Sequence, residues 1–137
     1  MNTERSDYTF TLDFSVRDYE CDLQGIVNNS VYQNYFEHTR HQYLHQLGVS
    51  FAGMTQMGIY LVVTRAEIDY KMPLRSGDQF WIGLRLATKG RMRAVFTQHL
   101  VHATTGKLMT QGVFTTAAMD AAGTPMRMAD VGFSLPV

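Results

Sequence analysis

Ser30-Val31-Tyr32-Gln33-Asn34-Tyr35-Phe36-Glu37-His38-Thr39-Arg40-His41-Gln42-Tyr43-Leu44-His45-Gln46-Leu47-Gly48 is the stretch on which the fold turns. Its residues Val31, Tyr32, Tyr35, Phe36, Tyr43, Leu44 and Leu47 recur three, four and seven positions apart, while Gln33, Asn34, Arg40, Gln42 and Gln46 fall mostly elsewhere. That is the period of a helix with one apolar face. Ser30 and Gln33 have the spacing of a capping box, Asn28 or Asn29 would cap equally well, and Gly48 supplies the stop. At 1.5 Å per residue the helix is roughly 27 Å long, enough to run the width of a small sheet.

Working upstream, Tyr8, Phe10, Leu12, Phe14 and Val16 alternate with Thr9, Thr11, Asp13 and Ser15, the period of a strand with one buried face. Between strand and helix, residues 17–29 carry Asp18, Glu20, Asp22 and Gly25, fit neither period, and read as a loop entering the helix. Working downstream, residues 50–58 are compatible with a second short helix or a loop. Four strands are then expected at 59–70, 79–88, 92–103 and 108–119, each β-branched and aromatic or alternating in polarity. The breaks at 73–78, 89–91 and 104–107 are short and contain glycine, so they read as hairpin turns joining antiparallel neighbours. Residues 120–137 read as a strand end followed by irregular chain.

Strand, long helix, then four strands predicts an α+β domain spanning 1–137, a curved sheet wrapped around the apolar face of its one long helix. One helix leaves much of such a sheet bare. Ile59, Leu61 and Val63 on one face and Tyr60, Val62 and Ala66 on the other predict a second copy that covers or extends it, a dimer at least.

Lysine plus arginine equals aspartate plus glutamate at 12 each, and no basic run makes the footprint that phosphate-backbone binding needs, so nucleic acid is not expected as a partner. With Cys21 the only cysteine, neither an intrachain disulfide nor a thiolate metal cluster is expected, and a reducing cytoplasm suits the chain. Residues 1–13 lack the apolar run of a signal peptide, and no run is long enough to cross a bilayer.

Asp22 precedes the helix start by few enough residues for its carboxylate to lie near the exposed amides of that end. Such amides hold a thioester carbonyl and stabilise the oxyanion formed from it, while a carboxylate attacks the carbon or deprotonates water. By spacing alone, the plainer reading that Asp22 only caps a turn or the helix comes first.

What shifts that balance is a longer pattern. Asp22-Leu23-Gln24-Gly25-Ile26-Val27-Asn28-Asn29, then Tyr32, then Glu37-His38-Thr39-Arg40, together with Ala66, Ile68, Tyr70, Pro73-Leu74 and Gly77-Asp78, resembles the hot-dog-fold acyl-CoA thioesterases related to 4-hydroxybenzoyl-CoA thioesterase. The resemblance covers most of the chain. It implies a five-stranded antiparallel hot-dog sheet, a dimer or tetramer, an acyl-CoA or acyl-carrier thioester as substrate, and no metal or organic cofactor, coenzyme A entering only as part of the substrate. It also implies that Asp22 is nucleophile or general base, that the backbone amide of Asn29 polarises the carbonyl, that Gly25 lets the chain pass close to substrate, and that Val27, Asn28 and Tyr32 touch substrate.

Two departures from the family pattern stand out. An aromatic residue is usual where this chain has Asp18, and histidine or tyrosine where it has Asn29. Asp18 either brings a second carboxylate to the site or faces solvent. The change at Asn29 leaves the amide donor intact.

Lys89-Gly90-Arg91 is the candidate for coenzyme A phosphates, with Lys71 and Arg75 as alternatives, against the plain reading of a solvated turn. Glu37 is expected to play a structural part, paired with Arg40. His38, His41 and His45 share a face at metal-ligand spacing without an acidic or cysteine ligand to complete a set, so surface histidines are the expectation. No Gly-x-Ser-x-Gly elbow is present, which disfavours a serine hydrolase. A hydratase of the same fold ranks below hydrolysis, and a non-catalytic acyl-binding module is the alternative from another class.

Overall fold

A computed structural model describes residues 4–49 and 51–131; Met1–Thr3, Ser50 and the end of the tail, 132–137, lie outside the described residues. The elements run β1 (Phe10–Ser15), α1 (Asn29–Gln46), α2 (Phe51–Gln56), β2 (Tyr60–Tyr70), β3 (Gln79–Lys89), β4 (Arg93–His102), β5 (Leu108–Met119) and β6 (Pro125–Met126). Short 3-10 turns occupy Arg5–Asp7, Asp18–Glu20 and Met128–Asp130. The segment left open after the long helix is therefore helical in its described part, and the chain after Met119 contains a two-residue strand that its lack of period hid.

Asn28, not Ser30, caps α1: its side chain accepts the Ser30 N–H. At the other end Gly48 takes φ 82, its N–H reaches His45 O at 2.9 Å and the Val49 N–H reaches Leu44 O at 2.9 Å, a Schellman stop. The buried face of α1 is Tyr32, Tyr35, Phe36, Thr39, Arg40, Tyr43 and Leu44. It packs on Phe80, Ile82, Leu84, Leu100 and Phe114 from β3, β4 and β5. Gly112 is needed where the ring of Phe114 lies over the strand, since an added Cβ would come within 2.5 Å of that ring.

All neighbouring strands are antiparallel, and the sheet order is β1-β3-β4-β5-β2 with β6 on β5. One expectation is corrected. β2 and β3 are not neighbours: β2 pairs with β5 at one edge, and β3 lies between β1 and β4. The intervening chain is a crossover anchored by the fully buried Leu74, whose O accepts the Val27 N–H at 2.9 Å and whose N–H donates to Tyr32 Oη at 3.0 Å. These ties hold the segment under the start of α1 instead of letting it close a tight turn. The sheet counts six strands, one more than the five expected, because of the short β6.

Among the described residues, no helix is long and apolar enough to cross a membrane.

Candidate active site

The loop before α1 is a tight hairpin. The Asn28 N–H donates to Glu20 O at 3.0 Å and the Asp22 N–H to Ile26 O at 2.9 Å, which pairs Cys21 with Val27. At its tip the Gly25 N–H donates to Asp22 O at 3.0 Å, and Gly25 takes φ 79. That turn-plus-bulge geometry strains any residue with a side chain. An added Cβ at Gly25 would meet nothing within 4 Å, so the backbone conformation alone accounts for the glycine.

The hairpin is fastened to the helix it feeds. Glu20 Oε1 accepts both the Arg17 N–H at 2.8 Å and the Tyr35 hydroxyl at 2.9 Å. Burial, then the bond to Glu20, pushes the Tyr35 phenol above its ordinary range, so it stays a neutral donor. Tyr32 is likewise raised by burial, and its ring packs edge-on against Tyr70 with centroids 5.3 Å apart. Tyr70 closes the ring of contacts by donating its hydroxyl to Asn29 O at 3.1 Å. Glu20 and Tyr70 were not singled out as working residues from sequence. Tyr70 lay within the quoted pattern, and the position of Glu20 two residues before Asp22 was the only hint.

Amide accounting at the start of α1 leaves one donor over. The Asn28 N–H goes to Glu20 O, the Ser30 N–H to Asn28 Oδ1 at 3.1 Å, and the Val31 N–H to Asn28 O at 2.9 Å. No hydrogen bond to the Asn29 N–H is found among the described residues. It stands at the positive end of an 18-residue helix. Asn29 also lines a largely apolar cavity of about 300 Å³ whose walls include Ile26, Val27, Tyr32, Tyr70 and Met72.

Asp22 is exposed, and its Oδ1 accepts the Gln24 N–H at 2.9 Å. It lines neither this cavity nor those of about 530 and 340 Å³ elsewhere. In the hairpin it sits across from Ile26, which is part of the wall of the cavity beside Asn29. The carboxylate is turned neither into the core nor into an ion pair with a described cation.

The other candidates are placed as follows. Val27 is buried in the cavity wall, while Asn28 is spent on capping. Lys89 and Arg91 flank the β3–β4 turn, at the far end of an 11-residue strand from Gln79, roughly 33 Å from the crossover. One protomer does not bring them to Asn29. The alternatives lie nearer: Lys71 lines the same cavity, and Arg75 is bridged through its backbone to Ile26. Asp18 Oδ1 accepts the Ser76 hydroxyl, which ties the hairpin to the crossover.

The expected Glu37–Arg40 pair is absent: Glu37 lies 3.5 Å from His41, and Arg40 turns inward to Gln98. His38 packs against the Phe14 ring. Burial first, then the Asp18, Asp22 and Glu20 carboxylates, push the Cys21 thiol up, so it is a poor candidate for a neutral-pH thiolate.

Residues 16–131 match the family described as the thioesterase-like superfamily. A chloroplastic acyl-acyl carrier protein thioesterase of Arabidopsis thaliana is 36% identical over 85 residues, 62% of this chain and 45% of that protein. A second from the same plant is 35% identical over 89 residues, 65% and 47% of the two chains, so this chain spans about half the length of these curated relatives. The crystal structure of a hypothetical protein from Aquifex aeolicus superposes with a TM-score of 0.80 at 28% identity, over 87% of this chain and 92% of that one. A 1,4-dihydroxy-2-naphthoyl-CoA thioesterase from Synechocystis superposes at 0.83 and 16% identity, over 87% and 88%, a likeness of fold.

Proposed function

The chain belongs to the thioesterase-like superfamily, and on that premise we propose that it hydrolyses acyl thioesters of coenzyme A or of an acyl carrier protein, with no cofactor. The observation that carries this reading is the Asn29 N–H at the start of α1, without a partner among the described residues, at a residue that lines an apolar cavity together with Ile26, which faces Asp22 across the hairpin. A thioester carbonyl whose oxygen accepts that N–H is polarised, and the negative charge that builds on it faces the positive end of the helix. Asp22 then acts in one of two ways. As base it takes a proton from water, the hydroxide adds to the carbonyl carbon, and the C–S bond breaks to release the thiol and the acid. As nucleophile it bonds to the carbon itself, the thiolate leaves and is protonated, and water cleaves the mixed anhydride. The acyl group lies along Val27, Tyr32 and Tyr70, and Lys71 and Arg75 are placed to meet the carrier's phosphates more readily than Lys89 and Arg91.

A panel of aromatic, short-chain and long-chain acyl-CoAs, and the same acyl groups on carrier protein, monitored for thiol release, tests this. Release from at least one thioester, with a preference among acyl groups, is expected. Binding across the panel without release would replace the enzyme by a non-catalytic acyl-binding module.

The unit is a homodimer joined through β2 and assembling further into a tetramer. β2 is an edge strand of 11 residues that leaves Tyr60, Val63 and Tyr70 exposed, and such an edge is a template for pairing with a second copy. Val63→Asp, which sets a charge on that edge, is expected to shift the protein to monomer in sedimentation at micromolar concentration. A wild-type protein that sediments as monomer there refutes the assembly.

A further inference from the structure

Glu20 is bonded in three directions, and all three meet at the root of the hairpin that carries Asp22. Its side-chain Oε1 accepts the Arg17 N–H at 2.8 Å and the Tyr35 hydroxyl at 2.9 Å, and its backbone O accepts the Asn28 N–H at 3.0 Å. Asp22 stands two residues beyond Glu20, and Asn29 one residue beyond Asn28. The Glu20–Asn28 rung is therefore the fixed point from which the chain runs to the carboxylate on one side and to the Asn29 amide on the other.

The two arms of the hairpin are held differently. Ile26 and Val27 are tied to the crossover, by the Val27 N–H on Leu74 O at 2.9 Å and by the bridge between Ile26 and Arg75. For the arm 19–25, the Tyr35 hydroxyl supplies the one hydrogen bond to α1 among the described residues. Tyr35 lies six residues into α1 from Asn29, about 9 Å at 1.5 Å per residue, so the bond refers the arm to the body of the helix and not to its frayed end.

Packing does not call for this bond. The Tyr35 ring is 5% exposed and is set by the rings of Phe80, Phe14 and Tyr32, with centroids 4.9, 5.5 and 6.1 Å away. A phenylalanine would make the same contacts without a buried hydroxyl to satisfy. Nor does the pair meet substrate in the proposed site: Glu20 and Tyr35 line a separate cavity of about 530 Å³ and do not line the one beside Asn29.

We propose that Glu20 and Tyr35 are positioning residues for thioester hydrolysis, a tether that sets where Asp22 stands relative to the Asn29 amide. The role rests on the proposed part of Asp22 in that reaction. A misplacement of about 1 Å in a reacting group costs about 10²-fold in rate, so loss of the tether shows in kcat, while KM stays near wild type.

Tyr35→Phe and Glu20→Ala, assayed for thiol release with the best thioester of the wild type, test the tether. Each should lower kcat by about 10- to 100-fold with KM near wild type. The double variant should lose no more than the worse single one, since both cut the same bond. Glu20→Gln should recover most of what Glu20→Ala loses, because an amide oxygen accepts both bonds. In an Asp22→Asn background Tyr35→Phe should leave the residual rate unchanged, whereas a merely structural loss would lower it by the same factor. Amide exchange at residues 21–28 should quicken in Tyr35→Phe while the middle of α1 keeps its protection. The proposal is overturned by full kcat in either single variant, by additive losses in the double variant, by an equal fall in the Asp22→Asn background, by unchanged exchange at 21–28, or by a Glu20→Gln as slow as Glu20→Ala. Should Tyr35→Phe fail to fold by circular dichroism, Glu20→Ala decides, since Glu20 lies outside the core. A wild type that releases no thiol from any thioester refutes the hydrolase reading and this role with it; a wild type that turns over no faster than Tyr35→Phe refutes this role alone.

Discussion

Asp22→Asn should lower kcat for thioester hydrolysis by about 10²–10⁴-fold, the range for loss of a positioned base, while KM, oligomer size and melting temperature stay close to wild type. The substitution is nearly isosteric, and the one hydrogen bond of the side chain survives it: the Gln24 N–H donates to Oδ1, which an amide oxygen accepts as well as a carboxylate oxygen does. Asp22 is exposed and outside the core, so the change removes no packing and strands no buried partner. What it removes is the basicity and nucleophilicity of the carboxylate, which both proposed routes require. Full turnover in the variant would remove Asp22 from the mechanism. In the wild type, label found in the Asp22 carboxylate after a single turnover in H₂¹⁸O identifies attack by Asp22, since cleavage of the anhydride at the aspartyl carbonyl places the water oxygen there, whereas water activated by Asp22 labels only the product acid.

Much of this frame was legible because its signals are local. The alternation from Tyr8 to Val16 reports β1, and the three-and-four spacing from Val31 to Leu47 reports α1, since each pattern registers which side of one element meets the core. Strand order was not local. The segment Pro73-Leu74-Arg75-Ser76-Gly77-Asp78 has the composition of a turn, but Leu74 is fully buried and bonded to Val27 and Tyr32, partners more than 40 residues away. That long-range anchoring makes the segment a crossover and sends β2 to the edge. Arg40 was misread for a different reason. Its charge set it among the polar residues, yet it falls four after Phe36 and four before Leu44, in the apolar stripe. The spacing was a signal that the residue type masked, and the sequence gives no direct sign of Gln98 waiting on β4.

The active-site reading divides in the same way. Nothing in the spacing of Asp22, Gly25 and Asn29 distinguishes a capping loop from a reactive one, and only the longer pattern favoured chemistry. The structure adds a physical distinction: Asn28 performs the capping, so Asp22 is not needed for it. With Glu20 O and both oxygens of Asn28 engaged by neighbouring amides, the Asn29 N–H is the one at this helix start left without a partner among the described residues.

That donor can be deleted without disturbing the helix, because Asn29 is the first helical residue. Proline is well tolerated there, where its missing N–H breaks no intrahelical bond and its fixed φ suits the turn. Asn28 already has φ −60 and ψ 134, the extended conformation that a residue before proline prefers. The Asn29 carbonyl would still accept the Tyr70 hydroxyl. Asn29→Pro should therefore fold with a helix content and melting temperature near wild type, yet lose about 10²–10³-fold in kcat, the usual effect of removing one oxyanion donor. Asn29→Ala is the matched control: it discards the side chain, keeps the N–H, and should retain nearly full activity. If the proline variant turns over as fast as the alanine variant, the carbonyl is polarised somewhere else and the start of α1 is only a helix end. If both variants fail equally while remaining folded, the Asn29 side chain and not its amide is the working group, and the proposed geometry is wrong at that atom.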